Sequence, residues 1–233
     1  MDDPAHVVAE AQTAGGLKPF RFYTSLVLQE STGLRAATLP ALVKLLRLVP
    51  EASIYYHTHA FLLQHHYLTP EPRNDFAYWV TEVLGDKLLG ERLAGIDTMG
   101  YATLNDLRET LARTIETHLD AWPLARLRFV SEGEDFFFVK STHVIMPTPY
   151  TAATLLEFAQ ALERVSLFSL YFHMFDARLR LGQPTNDFAR WFAEQLGLVE
   201  LAERVARLDP YASTLETLRA ALLAIIRQQL ELG

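Results

Sequence analysis

The stretch FRFYTSLVL, residues 20–28, is answered later in the chain by FFFVKSTHVIM, residues 136–146. Aromatic and β-branched side chains dominate both, which favours an extended segment over a helix. Read as short extended pieces, they become the openings of two units that are otherwise helical. With an offset of 116, Phe20 and Phe22 meet Phe136 and Phe138, Ser25 meets Ser141, and IYYHTH (54–59) meets LYFHMF (170–175). With an offset of 112, Asn74 to Asp97 superposes on Asn186 to Asp209 with 13 of 24 residues identical, far above chance. TLNDLRETL (103–111) pairs with TLETLRAAL (214–222). Self-similarity of this length predicts a mainly α fold made of two tandem, diverged copies of a helical unit of about 100 residues. Each copy carries a short aromatic extended or β segment, and the copies are expected to pack as a pseudo-twofold pair. The expected boundaries are a flexible N-terminal tail over 1–17, copy one over 18–120, a linker over 121–133 and copy two over 134–233.

Helical spacing supports the rest of each unit. Leu39, Leu42, Val43, Leu46 and Val49, and likewise Leu155, Phe158, Leu162 and Val165, recur at the period of one helix face. Thr154 with Glu157 has the form of a capping box. The segments 52–68 and 166–181 are apolar enough for buried helices. Phe76, Trp79, Val80, Val83 and Leu84 form an apolar stripe that Phe188, Trp191, Phe192 and Leu196 repeat. Asn74 or Asp75, and Asn186 or Asp187, are expected to cap that helix, and Gly85 and Gly197 suit its left-handed exit. Trp79 and Trp191 are expected in the core. In the linker, Glu132-Gly133 separates two alternating apolar runs and is expected to turn a β-hairpin.

Chemistry is harder to read. His57 aligns with His173, the one histidine position shared by the two halves. Imidazole titrates near neutral pH and ligates metals, so His57, His173, Asp75 and Asp187 are the candidate ligand or metal residues. The competing expectation is structural: histidines bonded among aromatic neighbours and aspartates serving helix starts. His59, His65 and His66 add to the first half, but on a helix His57 and His59 diverge by about 200° and no His-x-x-x-His pair exists. No phosphate-binding loop, dinucleotide fingerprint or nucleophile elbow is present, and no cofactor is implied.

Half of the 233 residues are apolar, 21% are charged and none is cysteine. That composition is globular, and it removes disulfides, thiol nucleophiles and Cys-ligated metals. A cytoplasmic location is expected. The longest apolar run, residues 220–226, is far shorter than the roughly 18 residues of a membrane span. A net charge of −7 argues against nucleic acid as a partner.

The pattern F-x-F, then (I/L)-Y-(Y/F)-H, N-D-F-A-x-W, L-x-E-R-x-A-x-(I/L)-D and T-L-x-x-L-R resembles a prokaryotic family, domain-of-unknown-function family 5752. The resemblance runs from about residue 18 to the end and implies a mainly helical domain with no assigned activity, so no catalytic residue follows from it. The functional expectation is a non-enzymatic cytoplasmic helical module that binds a small molecule or a protein partner, with oligomeric state open. The alternative is a histidine- and carboxylate-based metal protein or enzyme.

Overall fold

The computed structural model describes residues 17–60, 74–181, 185–208 and 214–232. Among them the chain runs β1 (Phe20–Ala36), α1 (Leu39–Leu46), α2 (Glu51–Thr58), α3 (Asp75–Tyr78), α4 (Lys87–Ala94), α5 (Leu104–Ala121) and a 3₁₀ turn (Pro123–Leu127). It continues with β2 (Phe136–Ala152), α6 (Leu155–Leu162), α7 (Leu167–Tyr171), α8 (Ala177–Leu181), α9 (Asp187–Glu194), α10 (Val199–Ala206) and α11 (Leu215–Leu232). Two π-helical turns interrupt it, Trp79–Val83 after α3 and Phe172–Asp176 between α7 and α8.

The two aromatic stretches are not short extended pieces. Each belongs to a strand of 17 residues, and the strands pair antiparallel from Phe20 opposite Ala152 to Ala36 opposite Phe136. The expectation of a mainly α fold is therefore overturned in favour of a mixed α/β one. The physical reason lies in the later part of each strand. Gln29 to Thr32 are polar, Pro147 and Pro149 cannot donate to a ladder, and register shifts fall between Arg21 and Tyr23 and between Ser31 and Arg35. Such residues read as turn, yet they are tolerated in a ribbon with solvated edges and bulges.

The expectation of two tandem copies packed as a pseudo-twofold pair fails with it, because similar helix grammar did not make two separately closed units. One core gathers Phe158, Phe175, Phe188, Trp191, Phe192 and Leu222 around Phe20 and Phe22, which arrive from the other end of the chain. The other gathers Leu42, Leu46, Phe76, Trp79, Leu111 and Ile115 around Phe136 and Phe138. The ribbon thus serves two helical lobes, one at each end. Its waist crosses between them, with Ser25 and Ser141 buried and Leu26, Leu28, Val144 and Met146 exposed.

Local signals behave as their chemistry dictates. Thr154 Oγ1 accepts from Glu157 N–H at 3.2 Å, and Glu157 reaches back to Ala153 N–H at 2.7 Å. Gly85 and Gly197 close their helices at φ +76° and +69°, where a Cβ would be strained. The hairpin expected around Glu132-Gly133 is absent among the described residues. The first apolar run forms the 3₁₀ turn instead, and Ala125 and Val130 face the core around Phe136 and Phe138. Of the segment 52–68, residues 61–68 lie outside the described residues, as do His65 and His66.

Trp79 and Trp191 are buried, and each indole N–H donates at 2.8 Å to a carbonyl just before a strand, Glu134 O and Lys18 O. Each tryptophan therefore fills a core and pins a strand entry. Trp79→Ala and Trp191→Ala are expected to cost about 3–5 kcal/mol each through the cavity left behind. Urea denaturation of the two variants checks this, and unchanged midpoints would reject the assignment.

Candidate functional site

His57 and His173 do not converge on a common centre. His57, on α2, lies with Nδ1 2.7 Å from Asp75 Oδ2, while its Nε2 accepts the Val139 N–H of β2 at 3.0 Å. His173, in the second π-helical turn, lies with Nδ1 2.8 Å from Asp187 Oδ2, and its Nε2 accepts the Tyr23 N–H of β1 at 2.8 Å. A backbone amide can only donate, so Nε2 must carry the lone pair and Nδ1 the proton. Both rings are thus held as the Nδ1–H tautomer, donating to a carboxylate. Phe76, Phe136 and Phe138 surround His57, and Phe20, Phe22 and Phe188 surround His173.

This geometry spends the ring lone pair that a metal ligand or general base would need. It also separates the roles of neighbouring residues. Asn74 and Asn186 are the caps, accepting from Ala77 N–H at 2.9 Å and Ala189 N–H at 2.8 Å. Their amide groups donate onward to Leu93 O and Val205 O. Asp75 and Asp187, at the first helical position, are directed to the imidazoles.

The polar groups that do converge were not the paired candidates. Beneath the ribbon waist, Tyr55 of α2 donates to Asp176 Oδ1 at 2.5 Å, and Tyr171 of α7 donates to His59 O at 2.6 Å. Two phenols thus cross between the lobes in opposite directions. His143 of β2 packs edge-on against Tyr55 with ring centroids 4.5 Å apart, and its Nδ1 lies 4.0 Å from Asp176 Oδ2. Its side chain keeps 27% exposure and brings the cluster to solvent. His59 stacks on Tyr55 with ring centroids 5.4 Å apart. Thr58 donates its hydroxyl to Ile54 O, so it accepts from His59 Nδ1–H at 2.8 Å. Among the described residues no group of three or more His, Asp or Glu is arranged to hold a metal ion.

Burial, reinforced by the Asp176 carboxylate, pushes the Tyr55 phenol well above its ordinary range. Burial alone holds His59 down to about 4 and lowers His143. Asp176 and His143 escaped the sequence reading. A carboxylate inside the apolar run FHMFD is the signal that could have found the first, because acidic side chains are seldom buried without a partner. No comparable signal marks His143, which β2 carries to Tyr55 and Asp176.

A family model matches residues 17–227. The chain belongs to the family of unknown function DUF5752. Among solved structures, OrfY from Thermoproteus tenax is similar to this DUF5752 member at 29% identity and a TM-score of 0.78, covering 92% of this chain and 97% of that one. No curated protein matches the sequence. No helix among the described residues of this DUF5752 chain is long and apolar enough to cross a membrane.

Two expectations follow. His57→Phe leaves the Val139 amide without its acceptor and should cost about 1–3 kcal/mol. In a double-mutant cycle His57→Phe and Asp75→Asn should be strongly coupled, whereas His57→Phe and His173→Phe should add, with or without a chelator. Coupling of the two histidines that vanishes on chelation would show that they share a metal.

The second concerns pH. His59 binds its proton more weakly folded than unfolded, so the unfolded chain takes up the extra proton as pH falls from 6.5 to about 4. Stability present above pH 6.5 should be lost across that window, on the order of 3 kcal/mol for a shift of this size. His59→Gln should flatten the loss, which chemical denaturation at a series of pH values measures.

Proposed function

We propose that this protein is a non-enzymatic, cytoplasmic binding module that takes a small polar ligand at the junction of its two lobes. The observation that carries the reading is the concentration of the buried phenol, imidazole and carboxylate groups of Tyr55, Tyr171, His59 and Asp176, with the half-buried His143 beside them, at that junction. Ligand sites favour boundaries between packed units, and a buried group displaced from its ordinary pKa by a specific neighbour is a candidate site residue. The π-helical turn that supplies Asp176 is itself a feature found frequently at functional sites.

The non-enzymatic part rests on His57 and His173. Their engaged Nε2 atoms favour a structural role over the histidine- and carboxylate-based metal or enzyme reading. The cysteine-free composition supports a cytoplasmic setting, and the net charge of −7 supports a ligand other than nucleic acid.

Thermal-shift screening of neutral polyols, amino acids and small amines tests the proposal. A compound that raises the melting temperature of the wild type is expected to lose its effect in Asp176→Asn and Tyr55→Phe. The reading fails if every stabilising compound acts on those variants as on the wild type.

A further inference from the structure

The histidine at the open side of the junction is held in one tautomer by its own strand. Ser141 and His143 stand two residues apart on β2, so their side chains share a face. Ser141 Oγ donates its one hydrogen to Ala52 O at 3.2 Å, so towards His143 Nε2, 3.4 Å away, it can only accept. Nε2 therefore carries the proton and Nδ1 the lone pair. Burial lowers His143 from the ordinary imidazole range, which keeps the ring neutral at neutral pH.

That lone pair faces Asp176 Oδ2 across 4.0 Å. Two acceptors opposed in this way do not attract each other, and the gap is too wide for a direct hydrogen bond. Whatever joins them must donate to both. Tyr55 donates to Asp176 Oδ1, and a carboxylate oxygen accepts more than one hydrogen bond, so Oδ2 has capacity for a donor on the His143 side. The spacing selects that donor. A nitrogen about 2.8 Å from each acceptor sees them about 90° apart, near enough to tetrahedral for two N–H groups of one ammonium to reach both. A zinc-sized cation about 2.1 Å from each would see them about 145° apart, far from tetrahedral. Among the described residues no group of three or more His, Asp or Glu is arranged to complete such a site. An alcohol has one hydrogen and serves one acceptor. An ammonium serves both and brings positive charge to the carboxylate, in a protein whose net charge of −7 favours cations. The His143 side chain is 27% exposed, which sets the gap beside solvent.

We propose that the junction takes a primary ammonium, whose nitrogen donates to both His143 Nδ1 and Asp176 Oδ2. This rests on the junction being the ligand site proposed above, and it names the class of ligand. Propylammonium is the probe, with propyltrimethylammonium, a charge without N–H, and 1-propanol, one hydrogen without charge, as comparisons. Imidazole ¹⁵N shifts of the full chain, with His143 assigned by its loss in His143→Phe, report the Nδ1 lone pair directly. Propylammonium is expected to move the Nδ1 signal saturably and to raise the melting temperature, while neither comparison does so at the same concentration. His143→Phe and Asp176→Asn should each weaken binding at least about tenfold, the loss of one charge-assisted hydrogen bond. Circular dichroism checks that both variants fold, and the wild-type Nδ1 titration decides the matter if one does not. No response to propylammonium, or an equal response to propyltrimethylammonium, overturns the proposal. If a neutral polyol stabilises the wild type and loses its effect in Asp176→Asn, while propylammonium is silent, the ammonium falls and the binding module stands. If every stabilising compound acts on the variants as on the wild type, both fall.

Discussion

The neutral imidazole held between a strand amide and a carboxylate is the contact on which the architecture turns. A long ribbon of two strands has outward-facing amides that no third strand satisfies, and such edges invite unwanted pairing. His57 and His173 each occupy one of those amides and transmit the restraint, through Nδ1–H, to the first turn of a following helix. Strand, helix and helix start are fixed by one ring.

The ribbon gains a second function from its length. Seventeen residues per strand are enough to enter one core, cross a solvated waist and enter the other. Small polar side chains join helices to the ribbon from below: Ser141 of β2 donates to Ala52 O of α2, and Ser169 of α7 donates to Tyr23 O of β1. The phenol and carboxylate groups bond from one lobe to the other, so any change in their bonding is felt by both.

Much of this was legible from local chemistry. Apolar stripes placed the helices, Thr154 and Glu157 closed as a cap, and the tryptophans are buried at positions where helical spacing put them in the core. The strands were underestimated because their solvated halves carry Gln29, Glu30, Pro147 and Pro149, which satisfy no strand pattern. The roles of Asn74 and Asp75 were interchangeable in the sequence, since either caps a helix. Only the position of the His57 ring separates them. Tyr55 and Asp176 are 121 residues apart, and no periodicity within either segment announces that they meet.

The paired strands lie 100 to 132 residues apart in the chain. During synthesis the first lobe lacks Phe136 and Phe138 until the second strand has left the ribosome, although all its helices are already made. Closing so long a loop is slow, because its entropy is lost before the distant contacts repay it. The apolar helix faces of the early lobe therefore find their last partners, Phe136 and Phe138, only downstream. The order of translation makes the second strand the keystone of both lobes, and a chain truncated before residue 136 would be a substrate for chaperones rather than half a protein.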